Sequence, residues 1–136
     1  LPGNGEEMGN YVFIVDVIDG HIGAMEMGRA GEQYILGGEN ASYSHFFSTI
    51  RKLSGKNYRL IKIPVAALIA FSWTQMALAR LVNRPPLLPP KWVKKYMYNW
   101  ELDSHKAQKE LNYKITPLND GLLHTIHWLE NGSYHE

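Results

Sequence analysis

The sequence contains no cysteine, which excludes disulfides, thiolate metal sites and cysteine nucleophiles. It also lacks a long uninterrupted apolar run. The most apolar stretch, Pro64 to Val82, is broken by Ser72, Thr74, Gln75 and Arg80, and its unbroken part is too short to span a bilayer. No Lys/Arg cluster stands out as a nucleic-acid footprint, and the formal net charge is only +1. No signal or transit peptide is visible, so a cytoplasmic location is expected. Internal repeats and low-complexity segments are absent as well.

What is present suits one domain with a real core: 136 residues, 45% apolar and 20% charged. The chain starts at Leu1 and runs at once into Pro2-Gly3-Asn4-Gly5, as expected of a cut through a loop of a longer protein. Residues 1–10 read as that loop, 11–40 as a strand–helix–strand unit and 41–136 as mainly helical, together a single partial domain. Tyr11 to Val15 is a run of β-branched and aromatic residues, the pattern of a strand buried on both faces. Asp16 is read as the cap of a helix carrying Ile18, Ile22, Met25 and Ala30, closed by Gly28 and Gly31. Gln33 to Leu36 reads as a second strand, which predicts a parallel pair joined by a right-handed crossover.

Further along, Ser42 or Ser44 is placed to cap a helix over His45 to Leu53, ended by Gly55. Arg59 to Ile63 alternates polar and apolar residues, as a half-buried strand does. Pro64 opens a long helix reaching about Val82, with Leu68 and Leu78 expected to be buried. A helix in a protein core or on a subunit interface is preferred there over a membrane-surface anchor. Arg84-Pro85-Pro86 and Pro89-Pro90 bracket a stiff turn. Lys91 to Tyr96 reads as a short helix, Tyr98 to Leu102 as an extended piece and Ser104 to Leu111 as a helix capped by Asp103. Pro117 then opens an amphipathic helix carrying Leu122, Leu123, Ile126 and Leu129.

Four places in this order resemble the C-terminal portion of extended short-chain dehydrogenases/reductases, which include NAD-dependent epimerase/dehydratases and dihydroflavonol reductase-like enzymes. Leu1-Pro2-Gly3-Asn4 is similar to the end of that family's Gly-Pro-Gly-Asp loop. Val12 to His21 lies on the pattern V-D-V-R-D-V-A-E-G-H, and Tyr34 to Asn40 on Y-x-L-G-G-E-N. Asp103 to Tyr113 is similar to D-S-S-K-A-x-x-E-L-G-Y, followed here by Pro117. Departures are Leu1 for the first Gly of the loop, Phe13 and Val15 for an Asp and an Arg, and Asn112 for a Gly. Asn112 is compatible with a left-handed cap.

The resemblance implies an α/β protein: the substrate-domain portion of an extended Rossmann-type reductase, mostly helical with a few short parallel strands, without the nucleotide-binding half. It implies hydride transfer between NAD or NADP and a carbonyl or hydroxyl carbon in the parent enzyme. Cofactor-binding and catalytic residues would come from the missing N-terminal half, so none is assigned in this chain. The partners implied are that half, a small-molecule substrate and further copies of the chain. Gly3, Asn4, Phe13, Val15, Tyr96 and Trp100 are the candidate substrate-binding residues. The alternative is a self-sufficient binding or oligomerisation module without catalysis.

Two lookalikes and one cluster need a physical reading. Gly20 and Gly23 follow the expected strand, but Gly23 falls within the helix and Glu26 stands where a third Gly belongs. Helix packing is therefore preferred to a phosphate cradle. Tyr58 and Lys62 have the spacing of a catalytic Tyr-x-x-x-Lys pair, which works on a helix; their surroundings read as a strand. Asp120, His124 and His127 share helical spacing without a fourth ligand, so solvated helix residues are preferred to a metal site.

Overall fold

A computed structural model describes residues 1, 3–81 and 85–132. Two strands and six helices lie within them, with helix dominating: β1 (Met8–Tyr11), α1 (Ile14–Met27), β2 (Glu39–Ser42), α2 (Tyr43–Leu53), α3 (Val65–Leu81), α4 (Pro90–Lys95), α5 (His105–Leu111) and α6 (Leu118–Asn131). The strands pair antiparallel, with Met8 opposite Ser42 and Tyr11 opposite Glu39. This corrects the expected parallel crossover. Helices pack in pairs, α1 on α5, α2 on α6 and α3 on α4.

The strand expected over Tyr11–Val15 is also corrected. Only Tyr11 is in β1, and Ile14 already belongs to α1. A β-branched run prefers strand locally, but that preference is weak against tertiary contacts. Here α1 is fixed by Asp16, which does not cap the helix but sits buried in its first turn. Both Asp16 carboxylate oxygens accept from Thr116, one from its backbone N–H at 2.7 Å and one from its hydroxyl at 2.6 Å. Gly20 and Gly23 then let the helix approach its neighbours. A Cβ at Gly20 would meet Leu36 and Tyr113, and one at Gly23 the Leu111 carbonyl. These glycines serve packing.

Gln33–Leu36 forms no ladder. It runs past α1 and α5 with Tyr34 and Leu36 turned to the core of Ala107, Leu111 and Tyr113. The second strand comes later, at Glu39–Ser42, in a segment of low β-propensity. It pairs because the residues leading into it and its first two residues are clamped. Gly37 N–H donates to the Ser104 hydroxyl, which donates back to the Gly37 carbonyl. Asn10 takes the Gly38 N–H and donates to the Gly38 carbonyl, both at 2.9 Å. The Glu39 carboxylate accepts from Leu118 N–H at 2.8 Å, and the Asn40 amide holds Leu102 at both its N–H and its carbonyl.

The remaining expectations fare unevenly. Ser42 caps α2 by accepting from His45 N–H. Asp103 accepts from His105 N–H at 2.8 Å, and Asn112 closes α5 in the left-handed region at φ 53°. Arg59–Ile63 is no strand; only Ile63 makes a bridge, through its hydrogen bonds with Leu1 and Gly3. On α3, Leu68 is half-buried but Leu78 is 61% exposed, so the expected burial of the helix is corrected. Its expected end at Val82, and Arg84 of the proline turn, lie outside the described residues.

Substitutions at Gly38, Gly31 and Asp16 test this frame. A Cβ at Gly38 would sit inside the Tyr11 carbonyl, so Gly38→Ala should lower unfolding free energy by about 3 kcal/mol in chemical denaturation. Gly31→Ala meets no atom, and only its φ of +82° opposes it, so about 1–2 kcal/mol is expected there. Asp16→Ala, removing two charge-assisted hydrogen bonds, should cost about 3 kcal/mol, with Asp16→Asn in between.

Candidate functional site

The loop before β1 is built on backbone bonds. Leu1 and Gly3 lie along residues 61–63, Gly3 N–H donating to the Ile63 carbonyl at 2.9 Å. Gly3 and Gly5 have φ of +61° and +77°, turns that favour glycine. The carbonyls of Gly5 and Glu7 then accept from Ser44 and Tyr43, supplying partners for the first free N–H groups of α2. Asn4 is exposed, its side-chain oxygen accepting from Glu6 N–H.

Beside this loop, Met8 ties down the segment after α4. Its N–H donates to the Asn99 side chain, and its carbonyl accepts from Trp100 N–H, both at 2.9 Å. The Trp100 indole donates to the Lys95 carbonyl. Tyr96 packs edge-on against Tyr43 at 5.3 Å between ring centres, and Tyr11 stacks on Phe46 at 4.1 Å. Gly3, Asn4, Tyr96 and Trp100 thus belong to segments that meet around the start of β1. Phe13 and Val15 do not join them. Phe13 precedes α1 at the other end of β1, stacks on His124 and lines a cavity of about 400 Å³ with Tyr11, Phe46, Leu118 and Gly121. Val15 lies on α1 and is exposed.

The loop-side cluster has a polar interior. Burial, with Tyr43 and Tyr96 nearby, pushes the Tyr11 phenol up to about 12. Burial, then Tyr96 and Glu7, raise Tyr43 too. The Tyr11 hydroxyl and one Glu7 carboxylate oxygen are buried without a hydrogen-bond partner. Phenols held protonated and the Glu7 side chain, beside aromatic faces, can hydrogen-bond a hydroxyl-bearing ligand, and the raised phenols offer no free base at neutral pH. Sequence reasoning missed Glu7, Tyr11 and Tyr43. Tyr11 reads as part of a buried strand, and nothing in the local sequence places Tyr43 beside it or Glu7 beside Tyr43.

No three His, Asp or Glu side chains gather to hold a metal among the described residues. Nor do Gly20 and Gly23 offer a dinucleotide phosphate cradle, since Leu36, Tyr113 and Leu111 occupy the space beside them. Tyr58 and Lys62 lie in irregular chain, with the Tyr58 hydroxyl turned to the Phe47 carbonyl. These residues do not fit a nicotinamide dinucleotide.

Comparison with known proteins gives the class. No family model matches the chain. A Synechocystis sp. protein named as a dihydroflavonol 4-reductase is 26% identical over 129 residues, which are 92% of this chain and 38% of that protein. The crystal structure of gox2253 superposes with a TM-score of 0.72 at 30% identity, over 97% of this chain and 40% of the other. The fold also matches UDP-glucose 4-epimerase of Thermotoga maritima, with UDP-glucose, at 19% identity and a TM-score of 0.69. That match takes in 97% of this chain and 34% of the epimerase. UDP-glucuronic acid 4-epimerase of Bacillus cereus, in complex with NAD, matches at 23% identity and a TM-score of 0.61, over 96% and 34%. The chain therefore resembles the C-terminal portion of an extended short-chain dehydrogenase/reductase in sequence and in fold. It spans about two fifths of the length of the first two relatives.

Alkaline titration tests the tyrosine cluster. A phenol whose folded value is raised contributes stability that is full below its unfolded value of 10.0 and is lost as pH rises towards about 12. Melting temperature should fall through that window, and Tyr11→Phe should flatten the fall. An unchanged pH profile in the variant would place the Tyr11 phenol in solvent.

Proposed function

We propose that this chain is the substrate-side portion of a nicotinamide-dependent reductase or epimerase acting on a carbonyl or hydroxyl carbon. The observation that carries the reading is the lopsided coverage: nearly the whole chain aligns with gox2253, yet accounts for 40% of it. A relative of that fold is complexed with NAD, while the glycines here are filled by packing. The nucleotide, NAD or NADP, is then held by an N-terminal half, which also supplies the catalytic groups. The nicotinamide supplies the hydride; this chain's part is to bind and orient the substrate.

Gly3, Asn4, Tyr96 and Trp100, joined by Glu7, Tyr11 and Tyr43, form the pocket wall in this reading. Phe13 contributes from the adjoining cavity, and Val15 faces the partner half. The outer side of α1 supports such a partner. Ile14, Ile18, Ile22 and Met25 follow one another at helical spacing and are all exposed, an apolar stripe of the kind that marks an interface. In the isolated chain the same stripe favours self-association, so the homo-oligomer is retained as a proposal resting on α1.

Isothermal titration of the chain with NADH and NADPH tests the reading. No measurable binding of either is expected; tight binding of one would overturn it.

A further inference from the structure

A cleft of about 1040 Å³ lies between α2, the residues that follow it and the start of α6. Arg51, Lys52 and Lys56 line it, against a single carboxylate, Glu39, which already accepts from Leu118 N–H. Among the described residues the ion pairs use Arg29, His105 and Lys106 as cations, so none of the three cleft cations has an acidic partner there. The neighbouring sequence offers none, since no Asp or Glu stands between Asn40 and Trp100. Arg51 and Lys52 sit in the last turn of α2, where a cation suits the negative end of a helix. Lys56 follows the helix end, so that account does not extend to it.

The neutral polar groups of the cleft are free as well. Thr49 lines it with only 7% of its surface exposed, and its hydroxyl has no partner among the described residues. A polar group shielded from water without a partner costs free energy, which a ligand oxygen would offset. Asn57 and Asn119 are exposed at the same cleft and add amide donors.

We propose that this cleft binds a small molecule carrying two or three carboxylates. Each carboxylate takes one of the cations, Arg51 with the fork of its guanidinium, while Thr49 and the asparagine amides donate to the remaining oxygens. Phosphate fits less well. Phosphate cradles are made of backbone N–H groups converging at a helix start. Here Glu39 holds Leu118 N–H, and the Asp120 and Gly121 N–H groups turn to the Pro117 carbonyl. A protein occupant would need apolar anchors, and only Pro117 and Leu118 supply apolar side chains to the lining. The N-terminal half is excluded on the same ground, because interface cores are depleted of charge. The surface suited to that half is the apolar stripe on α1, which packs on α5, whereas α2 and α6 wall the cleft.

Isothermal titration of the chain with citrate, inorganic pyrophosphate and chloride at matched ionic strength is the test. Citrate should bind one-to-one and saturably, pyrophosphate at least about tenfold more weakly, and chloride not at all. Arg51→Gln/Lys56→Gln should weaken citrate binding at least about tenfold, the loss expected when a charge-assisted hydrogen bond is removed. Thr49→Val should weaken it and Thr49→Ser should not. Lys109→Gln/Lys114→Gln, away from the cleft, should leave it unchanged, with circular dichroism confirming that each variant folds. Absence of citrate binding, pyrophosphate binding as tight as that of citrate, or an equal loss in the Lys109/Lys114 variant would overturn the proposal. So would capture of poly-glutamate without citrate binding, which would assign the cleft to an acidic protein segment, the N-terminal half included.

Discussion

The pairing of β1 with β2 and the placing of α5 and α6 hang on four residues, Gly37 to Asn40, which lead into and begin β2. Their backbone and side chains bond to Asn10 on β1, Ser104 at the start of α5, Leu102 in the preceding segment and Leu118 at the start of α6. Three stretches far apart in sequence, around Asn10, Leu102–Ser104 and Leu118, are thereby fixed relative to one another. The segment can do this because its two glycines carry no side chain. At Gly37 a Cβ would press on Ser104 and Asn10, and at Gly38 on the Tyr11 backbone. Buried backbone groups must find partners, and here Asn10 and Ser104 supply them where a longer sheet would otherwise do so.

The Asp16–Thr116 bonds extend the same frame. They fix α1 against the segment leading into α6, while Glu39 accepts from the first N–H of α6. Between these ties lies the cavity lined by Phe13. On the other end of β1, Met8 draws in Asn99 and Trp100, so the tyrosines around the opening loop meet. The ion pairs at Glu110 and Glu32 are exposed at the surface, and such pairs add little stability. Geometry at both loci rests on short, directional bonds to buried groups.

How much of this was legible in the sequence depends on range. Signals acting within a turn of helix were readable: the Ser42 cap, Asn112 and Pro117 stand where local chemistry put them, while Ser104 takes the N-cap of α5 and Asp103 accepts from His105 N–H beside it. Contacts across the chain were not. Val12-Phe13-Ile14-Val15 reads as strand by propensity, and nothing nearby shows that Thr116, a hundred residues on, holds Asp16 in a helix. Gln33–Leu36 has strand composition but no strand beside it, whereas Glu39–Ser42 lacks the composition and has a partner. Of the six expected site residues, Gly3, Asn4, Tyr96 and Trp100 lie on segments tied together through Met8 and residues 99–100, about ninety positions apart. Glu7 and Tyr43 joined them through tertiary packing that no spacing encodes.

The account's central claim is that a nucleotide-binding half completes this chain into a nicotinamide-dependent enzyme. The fold and the lopsided coverage support it, and so do glycines filled by packing and an apolar stripe on α1. The most direct measurement is to sequence the transcript through the reading frame upstream of the Leu1 codon. A strand followed by G-x-x-G-x-x-G, and further on a helix carrying Tyr-x-x-x-Lys, is the predicted result. A frame that opens at Leu1, or one that runs upstream without either motif, would contradict the account.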